Sequence, residues 1–352
     1  MSATVKFNDA KLTSMSLAKI GNPLRDEPVQ TSKTLCAFKE DDAELLTHCF
    51  LKSFKSLELN RFEHHTDLAS NEVYGYASKV FADPSSLLAQ SKLIAKHLHT
   101  KSTHPNIKSG DLCIGLLDEV IVAGTHVQAL SIIKSESKVP FLQISVTDGD
   151  LTLKTQQGIY PDKIDKGCLI INHSADEGFL VYVFDKSGNT HFWNRDFLGV
   201  APVRNDDYLT KRYSELCTAF AERGLPEETQ QEERLEVANK ALNYFHEAEQ
   251  FEIDEFRQEA FAEPETAKKF SEFKAEYEEE NAMPLDDTFT ISKAEAKKAK
   301  KRLKGQLKLD TGVDIKLSSA FLDQAEHFME KGFDEDKHMS FVKIYYHRET
   351  GS

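Results

Sequence analysis

Long apolar runs are missing from this chain. No stretch approaches the ~20 consecutive apolar residues that a transmembrane helix requires. The first residues, MSATVKFNDAKL, also lack the apolar core of a secretory signal peptide. We therefore expect no contact with a membrane and a cytoplasmic location.

Cysteine is scarce in the sequence. The five cysteines are odd in number and isolated, with no C-x-x-C pair among them. A disulfide framework needs paired cysteines, and a structural zinc site needs closely spaced ones. The pattern therefore argues against both and fits a reducing compartment. The cysteines are Cys36, Cys49, Cys113, Cys168 and Cys217.

Short catalytic and nucleotide-binding motifs are absent as well. The sequence contains no G-x-x-x-x-G-K-[ST], no G-x-G-x-x-G after a strand, no G-x-S-x-G and no H-E-x-x-H. These motifs mark phosphate loops, dinucleotide folds, hydrolase nucleophiles and metalloproteases. We expect a protein that is not an enzyme and that has no catalytic residue, no cofactor and no metal ion.

The length and composition predict more than one folded domain. The 352 residues suffice for about two domains at roughly 150 residues each. Hydrophobic residues make up 40% of the chain and include 23 phenylalanines against one tryptophan, so packed cores are expected. Changes in composition along the chain predict three segments, residues 1–215, 216–285 and 286–352.

The first segment is expected to be an α+β domain, mainly an antiparallel sheet with flanking helices. Asp83-Pro84 predicts a helix start, because aspartate caps free amides and proline is tolerated at the first position. Residues 111–193 contain short β-branched runs separated by tight turns, which predict an antiparallel meander. The run FLVYVFD is apolar on both faces, so we expect it centrally in the sheet.

The other two segments differ sharply in charge. Residues 222–280 contain 19 acidic and 7 basic residues, a net charge of −12, with an apolar stripe at helical spacing. They predict acidic helices that pack by one face. Residues 286–352 predict a small α/β unit with a strand, a basic helix, two strands, a helix from Ser319 that ends at Gly332, and a final strand.

The basic helix is the most informative feature of the sequence. Residues 293–308 read KAEAKKAKKRLKGQLK and carry a charge of +7, whereas the whole chain carries −14. Such a concentration on an anionic protein indicates a polyanionic partner. Ser292 can cap the helix, and an apolar face runs through Ala296, Ala299, Leu303 and Leu307.

Phosphate contact suits this helix better than base reading. Lysine is a compact point charge, and the run contains no aromatic residue for stacking on bases. We predict sequence-tolerant binding of double-stranded DNA, with a homodimer as the expected means of raising affinity. A solvated helix that pairs with the chain's own acidic segment explains the same pattern. The predicted DNA-contact residues are Lys293, Lys297, Lys298, Lys300, Lys301, Arg302, Lys304 and Lys308.

Two other groups of residues invite a chemical interpretation. Lys134 and Glu136 share one face of a predicted strand, as in some metal-dependent nucleases, but their order is the reverse of the usual Glu-x-Lys, and a cross-strand ion pair is the favoured explanation. His97, His99 and His104 lack a nearby acidic or cysteine partner that would complete a zinc pattern. We expect no metal at either place.

Several longer phrases of the sequence occur together in a characteristic order. They lie at residues 61–81 (RFEHHTDLASNEVYGYASKVF), 91–112, 165–185 (DKGCLIINHSADEGFLVYVFD) and 192–200 (FWNRDFLGV). The chain resembles the bacterial nucleoid-associated protein family typified by NdpA (YejK). The resemblance covers most of the chain but supplies no DNA-contact motif.

The resemblance implies a non-enzymatic, DNA-binding protein of the nucleoid that takes part in chromosome organisation. It also implies a possible type II topoisomerase or other DNA-processing protein as partner, although the long acidic segment departs from the shorter family members. A different class of function stays open: a protein-interaction regulator of DNA topology or of anti-phage defence, with the acidic surface as its docking site.

Overall fold

A computed structural model describes residues 5–54, 57–147, 149–160, 163–186, 188, 191–261, 263–281, 283–303 and 305–348. The chain forms two compact units, which divide between Val203 and Arg204. Helices combine with a large antiparallel sheet, which confirms the predicted α+β class. None of the helices in these ranges is long and apolar enough to cross a membrane.

The first unit alternates short helices with the strands of one large sheet. Its elements are β1 (Val5–Lys6), β2 (Lys11–Ile20), β3 (Gln30–Thr31), α1 (Glu40–Lys52), β4 (Leu59–Phe62), α2 (Glu72–Ala82), α3 (Leu87–Lys101), β5 (Gly110–Val122), β6 (Thr125–Ser135), β7 (Val139–Thr147), β8 (Asp150–Gly158), β9 (Lys166–Ile171), β10 (Leu180–Asp185) and β11 (Val200–Pro202).

Nine of these strands form one antiparallel sheet. Their order is β11-β4-β10-β9-β6-β5-β2-β3, with β1 beside β5. The pairs β5–β6 and β9–β10 are consecutive hairpins, as the predicted meander requires. Strand β10 lies between β9 and β4, so its predicted central place is confirmed.

Side chains of the central strands alternate between two hydrophobic cores. In β6, Leu130 and Ile132 pack in the core that contains α2 and α3, whereas Ala129 and Ile133 pack in the core that contains Phe50 of α1. Because helices cover both faces of the sheet, the central strands are almost continuously apolar.

The predicted helix start at Asp83 is confirmed. Its Oδ1 accepts a hydrogen bond from the Ser85 amide at 3.0 Å, and Pro84 opens a short 3-10 turn that leads into α3. A free amide at the start of a helix is thereby satisfied by a side chain.

Strands β7 and β8 stand apart from the large sheet. They pair only with each other, as a two-stranded antiparallel hairpin. The hairpin is inserted in the sequence between β6 and β9, which pair directly. We call this hairpin, residues 139–158, the arm.

The second unit is mostly helical. Its elements are α4 (Asp206–Ala219), α5 (Gln231–Glu247), β12 (Gln250–Glu252), α6 (Ile253–Ala260), α7 (Pro264–Glu280), β13 (Thr288–Thr290), α8 (Lys293–Arg302), β14 (Gly305–Lys308), β15 (Asp314–Leu317), α9 (Ser319–Leu322), α10 (Ala325–Phe328), β16 (Met329–Asp334) and β17 (Met339–Ile344).

A phenylalanine-rich core holds the second unit together. Phe251 of β12 is 1% exposed, and its ring centroid lies 4.3 Å from that of Tyr213 and 4.7 Å from that of Phe289. The ring of Phe245 on α5 stacks on Phe251 at 5.5 Å. Elements α4, α5, β12 and β13 therefore meet at one aromatic cluster.

The division into two units differs from the predicted boundaries at 215/216 and 285/286. Helices α4, α5 and α8 come from all three predicted segments, yet they share the phenylalanine-rich core. An amphipathic helix has one apolar face and must bury it against another element. The acidic helices and the basic helix therefore cover one another's apolar faces.

The predicted helix from Ser319 to Gly332 is wrong in its second half. Helix α9 ends at Leu322, α10 ends at Phe328, and β16 follows at once. Met329 pairs with Ile344 and Gly332 pairs with Phe341, so the segment is held by the antiparallel partner β17. This cross-strand partner is not visible in local helical spacing.

Replacing Phe251 by alanine should destabilise the second unit strongly. The change removes a buried ring from an aromatic cluster, so the unfolding free energy of this unit should fall by about 3–5 kcal/mol. Phe333→Ala is the control, because Phe333 is 58% exposed, and it should cost less than about 0.5 kcal/mol. Urea denaturation measures both, and equal losses would contradict the assignment of the core.

Candidate nucleic-acid interface

Helix α8 is a fixed part of the second unit. The Ser292 hydroxyl accepts a hydrogen bond from the Glu295 amide at 3.4 Å, which confirms the predicted cap. The Ser292 amide in turn donates to Thr210 Oγ1 on α4 at 2.9 Å. Ala296 and Leu303 are 1% and 9% exposed and lie in the phenylalanine-rich core. The basic helix is therefore mounted on α4 and α5.

The helix is shorter than its predicted apolar face. It ends at Arg302, because Leu303 adopts an extended backbone conformation. Leu307, which the spacing places on the same face, lies instead in β14 and pairs there with Ile315. The predicted face is thus correct for Ala296 and Leu303 and wrong for Leu307.

Lys293 is turned toward the protein. Its Nζ donates to the carbonyl of His246 at 3.1 Å and to that of Ala248, where α5 ends. It also lies 3.4 Å from Glu249 Oε1. A cation at the carboxyl end of a helix is favourable because the last carbonyls lack intrahelical partners. Lys293 therefore ties α8 to the end of α5.

Lys300 has a second internal role. Its Nζ lies 2.8 Å from Asp323 Oδ2 and also donates to Asn243 Oδ1, with only 15% of the lysine side chain exposed. Partial burial opposes the ionisation of Asp323, but hydrogen bonds from Lys300, Asn239 and Asn243 hold the pKa of that carboxyl below its usual value. Lys300 therefore links α8 to the segment after α9.

Four cations of α8 face solvent. Lys297, Lys298, Lys301 and Arg302 are exposed, and together they span an arc of about 140° at 100° per residue. The exposed Lys298 side chain lies 2.6 Å from Oε1 of the half-buried Glu295 in an i,i+3 ion pair, a kind that contributes little. Lys297, Lys301 and Arg302 make no ion pair within the described ranges. We call these four side chains the α8 cationic face.

The structure thus sorts the eight predicted contact residues. Four form the α8 cationic face, and Lys293 and Lys300 are bonded within the unit. Lys304 and the side chain of Lys308 lie outside the described residues. Sequence spacing could not separate the two kinds of lysine, because the carbonyls and carboxylates that hold Lys293 and Lys300 lie about 20 to 60 positions away in the chain.

A cleft between α4 and α8 limits the face on one side. Its volume is about 380 Å³, and Arg302 and Lys211 line it together with Glu215, Glu222 and Glu295. Mixed charge at close range makes this cleft a poor place for a phosphate. Lys297 and Lys301 do not line this cleft, so they are the members of the α8 cationic face that lie clear of its carboxylates.

Lys134 and Glu136 form a buried network and not an open site. The Lys134 ammonium is fully buried and lies 2.7 Å from Glu136 Oε1 and 2.6 Å from the carbonyl of Lys108. Burial lowers the pKa of Lys134, and the Glu136 carboxylate opposes that change. A second buried pair joins Lys166 to Asp185 at 2.7 Å. These contacts give the residues a structural role.

The histidines that could suggest a metal site bond to the backbone. His97 Nε2 lies 3.1 Å from the carbonyl oxygen of Phe197, and His99 Nε2 lies 2.8 Å from that of Glu27. Burial lowers the pKa of His97. No group of three potential metal ligands occurs in the described part of the chain.

A family model described as nucleoid-associated protein YejK matches residues 20–340. The chain belongs to the YejK family of nucleoid-associated proteins. A search of the curated proteins found no match, and a search of the solved structures found none either. The match includes both units, and within it lie all the residues of the α8 cationic face.

Membership of the YejK family agrees with the resemblance seen in the sequence. It associates this chain with the nucleoid, where duplex DNA is the abundant polyanion, and it leaves the contact residues to be argued from geometry.

Lys300 and Lys297 should behave differently although they lie on one helix. Lys300→Met removes the partner of Asp323, so the unfolding free energy should fall by about 1–3 kcal/mol at neutral pH. Lys297→Met should cost less than about 0.5 kcal/mol, because Lys297 has no partner within the described ranges. Chemical denaturation of both variants measures the difference.

The effect of Lys300→Met should also depend on pH. Asp323 has a lowered pKa in the folded unit, so its stabilisation is complete above the ordinary carboxyl pKa near ~4 and is lost as the pH falls through the lowered value. The two proteins should therefore converge in stability in acid. A constant difference between neutral and acidic pH would contradict the ion pair.

Proposed function

We propose that this YejK-family protein binds double-stranded DNA through its phosphates, by the α8 cationic face and without an enzymatic step. One observation carries the proposal: four cations project from a single rigid helix on a protein whose net charge is −14. A rigid mount is useful because phosphate contacts then cost little side-chain and backbone ordering.

The chemistry of the face favours binding without base recognition. Three of its four side chains are lysines, which contact phosphate as point charges, and α8 contains no aromatic residue. Affinity should then come from counterion release, with a slope of log K against log salt of about −2.7 for the three lysines, or about −3.6 for four contacts if Arg302 also reaches a phosphate from the edge of the mixed-charge cleft. Two copies acting together would double either slope.

We further propose that the protein acts in the nucleoid as a homodimer, with duplex DNA as its main ligand. Pairing two chains places two cationic faces on one particle and raises affinity without new contacts. The acidic remainder of the surface repels DNA, so binding should stay confined to α8. At physiological salt the Debye length is about 8 Å, so only acidic residues close to α8 should weaken DNA binding appreciably.

The test is the salt dependence of duplex binding by full-length variants. Lys297→Gln with Lys301→Gln removes two phosphate contacts per chain, so the slope should become shallower by about 1.8 per chain and affinity at low salt should fall by tens of fold.

Removing residues 286–352 is a poorer test, because α8 and β13 supply part of the phenylalanine-rich core.

A matched control exists on the acidic helix α7. Lys268→Gln with Lys269→Gln makes the same change in net charge, and both lysines lie near carboxylates, Glu272 at 3.8 Å and Glu265 at 2.9 Å. This variant should keep the original slope. An unchanged slope in the α8 variant, or an equal change in both, would contradict the assignment to α8.

The exposed acidic side of α7 favours a second candidate function. Glu276, Glu279 and Glu280 are exposed near its carboxyl end, where negative charge is unfavourable to the helix itself. Such a surface suits a basic partner protein, and a DNA-processing enzyme such as a type II topoisomerase is one class to test. Stable capture of one partner without measurable duplex affinity would favour this function over DNA binding.

A further inference from the structure

The arm has one apolar face. Cross-strand pairs place Ile144 opposite Leu153 and Val146 opposite Leu151, and Leu142 lies on the same side two residues before Ile144. Each of these five side chains is between 63% and 71% exposed. We call them the aliphatic face of the arm.

The opposite face of the arm is mainly polar. It carries Gln143, Ser145, Thr152 and Lys154, and the Ser145 and Thr152 hydroxyls are hydrogen-bonded at 3.1 Å. Val139 and Phe141 are apolar residues on this side, and both lie near the root of the arm. The hairpin is therefore amphipathic, with one polar face and one exposed aliphatic face.

Polar contacts of Asp165 hold the chain just before the root of the arm. Asp165 Oδ2 accepts hydrogen bonds from the amides of Glu136 at 2.6 Å and of Ser137 at 3.1 Å, and its Oδ1 accepts from the Ser137 hydroxyl at 3.2 Å. Glu136 is in turn paired with the buried Lys134. This network therefore anchors residues 136 and 137, which directly precede the arm.

An uncovered aliphatic face is unfavourable for a free hairpin. A two-stranded hairpin is marginally stable by itself, and stable ones need a packed apolar side. Contiguous apolar patches of several hundred Å² on soluble proteins usually mark interaction surfaces. No residue within the described ranges covers the aliphatic face, so it is available to another molecule.

We propose that the aliphatic face of the arm packs against the same face of a second copy of this chain. Five aliphatic side chains at roughly 100 Å² each give about 1,000 Å² over both copies, the lower limit for a specific interface. The face carries no charge, so pairing it with itself involves no like-charge repulsion, as a twofold contact requires.

DNA is a poor occupant for the arm. Residues 139–158 carry two aspartates and one lysine, a net charge of −1. A β-arm that lies along DNA needs cations for the phosphates. The inference therefore rests on the proposed pairing of two copies and is independent of how α8 meets DNA.

Sedimentation of the full-length protein tests the inference. Ile144→Gln with Leu153→Gln places polar groups on the aliphatic face without a change in charge, and should raise the dimer dissociation constant by at least about 100-fold. Ser145→Gln with Thr152→Gln changes the directly adjacent pair on the polar face and should leave the dimer intact.

Hydrogen exchange of the unaltered protein gives a second measurement that needs no variant. Amides of residues 139–158 should exchange more slowly at concentrations where the dimer forms. An unaltered chain that stays monomeric at about 100 µM would overturn both the arm contact and the pairing. A dimer that survives Ile144→Gln with Leu153→Gln, or that both variants disrupt equally, would overturn the arm contact alone. The salt slope per chain at α8 reports separately on DNA binding.

Discussion

The packing of Ala296 and Leu303 into the phenylalanine-rich core decides which side chains of α8 meet solvent. Once that face is buried, helical geometry turns Lys300 inward toward Asp323 and leaves Lys297 and Lys301 outward. The acidic helices therefore hold α8 in place by packing, and they also carry charge of the opposite sign. The exposed positive charge of α8 is therefore concentrated on one side of the helix.

The same principle of covered faces explains the rest of the molecule. Helices on both sides of the large sheet bury its central strands, and the acidic helices of the second unit bury one another. Two hairpins depart from this principle within the described ranges. The β16–β17 hairpin leaves Phe333 and Met339 more than half exposed, and the arm leaves five aliphatic side chains exposed on one face. An exposed apolar face of this kind usually marks a surface that binds a second molecule.

The features that depend on residues close together in the sequence were predicted correctly. The Asp83 and Ser292 caps, the antiparallel pairing and the central place of β10 follow from spacing and turn chemistry. The strand at Met329–Asp334 pairs with β17 across a connection of only four residues, so its partner is close in sequence, but the helical spacing of the apolar residues concealed it. The inward turn of Lys293 and Lys300 depends on partners that are distant in sequence. Unit boundaries differed for the same reason, because apolar faces from three segments share one core.

Chemical labelling of lysines, with and without duplex DNA, tests the central claim most directly. Mass spectrometry of the intact protein should show that Lys297, Lys298 and Lys301 lose reactivity when DNA is bound. Lys268 and Lys269 on α7 should be unaffected, and Lys293 and Lys300 should react slowly in both states because they are bonded within the unit. Protection that falls on other lysines, or no protection at saturating DNA, would contradict the assignment of the α8 cationic face.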